Sequence, residues 1–225
     1  MLAAPAGNRP CYRREESPLQ RFIERFGALF GAISILFAFF VVGGLEGGEP
    51  PDVSDSTTEQ IVAHWMDLGD AAWVGNWLSI LCGLLILFWG LWVNSALRDR
   101  GATLLAPAAA VGTVLVAVGI SIDTTAHMVL LDAAENMPAA AAVAISALTQ
   151  YMFMPYLLGM ILIVVSVSAS AKKTGLIPPW LAWVGYVTAL IMLIPHEIMF
   201  IGFMLFVAWM VIAGISMFRK TDAAA

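Results

Sequence analysis

Histidine occurs only three times in this chain, and each time a carboxylate stands close by. His64 precedes Asp67 by three positions, His127 follows Asp123 by four, and His196 is followed at once by Glu197. Side chains spaced three or four apart share a helix face, so Asp123 and His127 meet if one continuous helix carries them. Imidazole and carboxylate suit zinc or a non-haem iron, and a zinc-bound water is a nucleophile near neutral pH. The candidate metal ligands are therefore Asp123, His127, His196 and Glu197, with His64 above them. No HExxH, HxxxH or CxxC spacing supplies two ligands from one turn. Convergence would rest entirely on the fold. The plainer reading is of solvated groups, with Asp123 and His127 paired at a helix end and no cofactor present.

A second polar set lies within apolar surroundings. Asn76, Gln150, Tyr151 and Tyr156, with Thr149 beside them, can line a small outward-open pocket. The same groups can serve as interhelical hydrogen bonds, because unpaired polar groups are costly in lipid. A haem would need histidine pairs at depth on facing helices, and none of the three lies mid-span. Met152, Met154, Met160, Met199, Met204 and Met210 are expected as adaptable fillers of helix contacts, not as a copper relay. Cys11 and Cys82 fall at different depths, so no bridge is expected between them.

The elements that must position these residues follow from composition. The chain has 225 residues, 60% hydrophobic and 12% charged, with a mean hydropathy of +0.86. Soluble domains carry about 25% charged residues, and a membrane-crossing helix needs roughly 20 apolar ones. Six segments qualify, at about 27–45, 71–93, 102–122, 140–170, 180–195 and 198–218. The stretch ahead of Arg21 has no apolar core leading to a cleavage site, so the first span is expected to be an uncleaved anchor. Residues 1–16 read as a cytoplasmic segment, 17–218 as the membrane domain and 219–225 as a cytoplasmic tail.

Orientation comes from charge. With the N-terminus inside, Arg9, Arg13, Arg14, Arg21, Arg25, Arg98, Arg100, Lys172, Lys173, Arg219 and Lys220 all fall on the inner side. That is all 11 basic residues, as the positive-inside rule requires. Acidic residues crowd the outer segments, which excludes nucleic acid as a partner. Trp65, Trp73 and Trp77 are expected as anchors at the outer interface, and Trp89, Trp92, Trp180 and Trp183 at the inner one. Trp209 lies deeper.

The longest connection, 46–70, opens irregularly as EGGEPPDVSDS. Ser56-Thr57-Thr58-Glu59 then reads as a capping box, followed by Ile61, Trp65 and Leu68 at i, i+4 and i+7. A short amphipathic helix over about 57–68 is predicted to roof the bundle or rest on headgroups. Pro195 separates the last two spans, and Glu197 then stands at a helix N-terminus, where a carboxylate is favoured.

The stretches IVAHWMDLGDAAWVGNWL, FWGLWVNSALRDRG and KKTGLIPPWLAWVGYVTAL resemble a group of uncharacterised six-span bacterial membrane proteins, common in actinobacteria. The resemblance covers roughly residues 55–195 and implies a fold and a bacterial plasma membrane, but no activity. Pro179 departs from the basic residue expected at that position in the group. The expectation is thus an all-α polytopic membrane protein, a six-transmembrane-helix bundle with a short outer amphipathic helix and both termini cytoplasmic. Functionally, a non-catalytic accessory, partner-binding or lipid-binding subunit is favoured, in contact with the bilayer and with another membrane protein or a second copy. The alternatives are a metal-dependent membrane enzyme and a small-molecule transporter or receptor.

Overall fold

In lipid the backbone must satisfy its own hydrogen bonds, and helices do so within a single segment. The computed structural model describes residues 18–45, 50–195 and 197–222, and among them helix is the only regular structure. The elements are α1 (Pro18–Phe37), a π-helical turn (Ala38–Val42), α2 (Gly43–Leu45), α3 (Thr58–Asp67), α4 (Asp70–Asp99), α5 (Leu105–Ala133), α6 (Ala139–Thr149), α7 (Met154–Thr174), α8 (Pro179–Met192) and α9 (Glu197–Asp222). Five helical stretches are long and apolar enough to cross a membrane, and α8 is a shorter apolar helix.

Six of these elements close a ring. α1 packs on α4, α4 on α5, α5 on α7, α7 on α8, α8 on α9, and α9 returns to α1. Short connections between packed neighbours make successive helices antiparallel. The ring interior is filled by Trp89, Ile163, Val167, Phe206, Trp209 and Met210, all essentially buried. At the basic end, α7 stops at Gly175, which adopts a left-handed φ of 61°, and α8 starts on Pro179. Lys173 donates to the Gly101 carbonyl at 2.5 Å and Lys220 to the Gly175 carbonyl, tying two loops to helix C-termini.

Two spans differ from expectation. The helix expected at 140–170 is broken by a turn over 150–153, and Pro155, missing its N–H, sits at the start of α7 where no donor is needed. The span expected to end near 122 continues to Ala133. At 29 residues, α5 extends about 43 Å, well beyond a hydrocarbon core of about 30 Å. The protruding end of α5, with α6 and α3, builds a second, smaller apolar cluster of Ile61, Trp65, Leu130, Ala134 and Ala142. This cap sits over one end of the ring.

The roof helix forms as expected, with its capping box one position later. Thr57 is the N-cap, the Gln60 N–H donates to its Oγ1 at 3.3 Å, and the Thr57 N–H donates to Gln60 Oε1 at 2.8 Å. That register turns Ile61 and Trp65 down into the cap.

The tryptophans divide into two groups. Trp77, Trp180 and Trp183 are exposed on the bundle surface, and Trp73 is half-buried. Trp65, Trp89 and Trp92 are buried instead. Gly27 and Gly31 leave the space on α1 into which the Trp92 and Trp89 rings fit, and Trp92 Nε1 donates to the Glu24 carbonyl at 3.1 Å. Trp209 is buried between helices, its indole N–H bonded to the Leu181 carbonyl at 3.0 Å.

Candidate functional site

The extension of α5 carries Asp123 and His127 above the ring on one helix face. His127 Nε2 lies 3.9 Å from Asp123 Oδ1, both side chains largely shielded from solvent. His64 stands on α3, next to Trp65 in the chain. The Trp65 ring centroid is 5.3 Å from His127 in a tilted contact and 5.3 Å from His64 edge-on. Trp65 is held in place by a hydrogen bond from its Nε1 to Ser146 Oγ, 3.3 Å, which joins α3 to α6.

Two cavities meet at this group. The first, about 720 Å³ and open, is lined by Pro50, Asp52, Asp123, His127, Thr149, Gln150 and Tyr151. The second, about 520 Å³ and more enclosed, lies beneath α3 among the cap-side ends of α1, α4, α5 and α9. Its lining includes Phe39, His64, Trp65, Leu68, Asn76, His127, Leu131 and Phe200. Pro50 and His127 belong to both cavities.

The polar atoms of the second cavity are incompletely satisfied. Asn76 is 2% exposed and its Nδ2 donates to the Ala72 carbonyl at 2.9 Å, one turn back on α4. Its Oδ1, and Nε2 of His64, are buried with no hydrogen-bond partner among the described residues. Such groups are rare in native proteins, and each costs about 1–3 kcal/mol. The π-helical turn that follows α1 borders the same cavity through Phe39, and Gly43 follows on its edge. Single π turns inside helices recur at functional sites.

The four polar residues expected to form one patch are divided. Asn76 lines the enclosed cavity, whereas Gln150 and Tyr151 line the open one. Gln150 Nε2 reaches the Pro51 carbonyl at 3.4 Å. Tyr156 lies instead against α5, where its ring occupies the space beside Gly119. Of the metal candidates, Asp123 and His127 are paired, and Trp65 makes ring contacts with both His127 and His64. His196 lies outside the described residues, and Glu197 is the first residue of α9. Among the described residues, no three His, Cys, Asp or Glu side chains are placed to share a metal ion.

Sequence reasoning misses the role of Trp65 as the hub of the cap. Its place beside His64, at the centre of the roof helix's apolar stripe, is the available signal.

Electrostatically, the cap is acidic. The Ser54 N–H and hydroxyl both donate to Asp52 Oδ1 at 2.8 Å and hold its carboxyl below the ordinary range. Desolvation lowers the pKa of His64, Asp67 opposes this, and His127 adds to it. The unfolded cap therefore binds a proton at His64 more readily than the folded cap. The neutral imidazole's contribution is complete above about pH 6.5 and is lost as pH falls below that value toward the lowered folded pKa. Amide protection factors in α3, which correct for the slower intrinsic exchange at low pH, are thus expected to fall on acidification. The wild type should lose more protection than His64→Gln, and equal losses in the two would count against this origin.

Comparison with protein-family models, with curated protein sequences and with solved structures finds no match.

Proposed function

We propose that this chain is an integral plasma-membrane protein of the bacterial type, with six spans and both termini inside, that binds a small ligand non-catalytically beneath its outer cap. The apolar helices carry the membrane assignment. In favour of six spans, α8 occupies a full place in the ring between α7 and α9. At 14 residues, α8 covers only about 21 Å as helix. Exposed Leu193 and Ile194 complete the apolar length, and the bilayer absorbs a modest mismatch. In favour of the orientation, Arg25, Arg98, Arg100, Lys172, Lys173, Arg219 and Lys220 all lie at the end of the ring opposite the cap. This reading keeps the protein within the six-span group that its sequence resembles.

The enclosed cavity, with its buried and unpartnered Asn76 Oδ1, carries the binding assignment. Ligand sites are typically cavities of about 300–1,000 Å³, mostly apolar, with a few convergent polar groups. The space under α3 has that size and character. A structural hydrogen bond between helices would leave no acceptor free, whereas a ligand donor would satisfy Asn76 Oδ1.

The test uses N-phenyl-1-naphthylamine, an uncharged fluorescent apolar probe, with the protein in lipid nanodiscs and empty nanodiscs as baseline. One saturable site per chain is expected, and it should be abolished by Ala72→Phe, which fills the cavity from α4. Absence of saturable binding, or binding indifferent to that substitution, would remove the reading. Cysteines introduced at Asp55 and Arg100 test the orientation: a membrane-impermeant maleimide should label the first, and not the second, from outside intact cells.

A further inference from the structure

The open and enclosed cavities share His127 and Pro50 and differ sharply in chemistry. The open one presents two carboxylates, Asp52 and Asp123. The enclosed one presents aromatic and aliphatic walls around the unpartnered Asn76 Oδ1. A single occupant that suits both is amphiphilic, with its polar part at the water-facing cleft and its apolar part under the roof helix.

The charge of the polar part follows from the surroundings. Asp52 stays ionised because two Ser54 donors stabilise its carboxylate. No lysine or arginine occurs between positions 26 and 97 or between 101 and 171, so the His127 imidazole is the basic group beside Asp123. Asp55, Glu59, Asp67, Asp70, Asp132 and Glu135 belong to the cap-side segments and make that side acidic as a whole. An anionic headgroup would be repelled there, and a cation would be drawn in. Asn76 Oδ1 adds an acceptor deeper in the site, again matched to a donor-bearing ligand.

The apolar part is matched by the cavity's lipid-side wall. Phe39 on the π turn and Phe200 near the start of α9 both line the enclosed cavity, and they are 41% and 61% exposed on the bundle surface. In the proposed topology that surface faces the outer leaflet, so the cavity is bounded on this side by aromatic rings in contact with lipid.

We propose that the paired cavity binds a cationic amphiphile, with its ammonium group at Asp123 and Asp52 and its largely apolar body, carrying one donor for Asn76 Oδ1, beneath α3. This inference rests on the binding reading above and adds the class of ligand. The experiment measures displacement of N-phenyl-1-naphthylamine in nanodiscs by decylammonium, decanol and decanoate, which share a chain length and differ in charge. The cation should displace the probe at a concentration lower by about tenfold or more, the scale of a charge-assisted contact. Asp123→Asn should weaken the cation by a similar factor and leave decanol unchanged. Asp52→Asn, outside the helices, serves as a second variant that does not touch the Asp123–His127 contact. Equal displacement by decanol and the cation, or a cation indifferent to both aspartate substitutions, would overturn the cationic assignment while the cavity remained a binding site. Failure of the probe to bind at all would overturn both.

Discussion

Replacing Gly159 with leucine is expected to destabilise the bundle by more than about 3 kcal/mol, above the usual range for an overpacked contact. Gly159 on α7 and Gly112 on α5 bring two backbones together. A Cβ at 159 would lie 2.5 Å from the Gly112 carbonyl oxygen and 2.9 Å from the Val116 nitrogen. A Cβ at 112 would lie 2.8 Å from the Gly159 carbonyl oxygen. Backbone atoms cannot swing aside as a long side chain can, so the two helices must separate along their contact. In lipid that contact has no hydrophobic driving force to restore it, and close approach of small residues is its main source of attraction. Gly83→Ala is the control. Its nearest neighbours are ordinary contacts at 3.8 Å and 4.0 Å. The better helix propensity of alanine should therefore leave stability unchanged or raised by up to about 1 kcal/mol. Size-exclusion chromatography after graded heating in mild detergent reads both. A Gly159→Leu protein with the wild-type midpoint would show that α5 and α7 do not depend on this approach.

How far these features can be read in advance depends on their range along the chain. The ring helices announce themselves because lipid imposes one simple rule on about 20 consecutive residues. The roof helix is similarly local: a cap, then Ile61 and Trp65 one turn apart. The break in the 139–174 stretch is harder to see, because hydropathy stays high on both sides of it. Only Pro155 and the polar Gln150 mark the place, and a proline is also tolerated within a membrane helix. The continuation of α5 is obscured for the opposite reason. Asp123, Thr124, Thr125 and His127 lower the hydropathy although the helix runs on through Met128–Leu131 into the cap. Least legible is the division of the polar residues between two cavities. Asn76 and Gln150 are both placed near the cap by their spans, but α3 and Trp65 determine which cavity each one enters. That partition depends on packing between segments far apart in the chain, which no local pattern encodes.

Trp65→Ala is expected to release the roof while leaving the ring intact. Trp65 is 3% exposed and is the largest member of the cap cluster, and its indole N–H reaches Ser146 on α6. Removing a buried tryptophan costs about 3–5 kcal/mol. The cap core is separate from the ring core, so the loss should appear as local opening of α3 and not as global melting. At about 1.4 kcal/mol per tenfold, that corresponds to a rise of roughly 10² to a few times 10³ in the open population. Where reclosing is faster than cleavage, proteolysis between 50 and 70 should accelerate by the same factor. Trp65→Phe keeps most of the ring volume and loses the hydrogen bond to Ser146, so a smaller change of about 1 kcal/mol is expected. Protease added to right-side-out vesicles, with the heating midpoint of the uncut bundle measured in parallel, separates the two cores. Unchanged cleavage, or a bundle that melts together with its roof, would rule out an independent cap. The same residue lines the enclosed cavity with His64 and Leu68, so opening the roof also dismantles one wall of the site. A bound ligand, by stabilising the closed form through mass action, should therefore slow cleavage of the wild type, and Trp65→Ala should abolish that protection together with the binding.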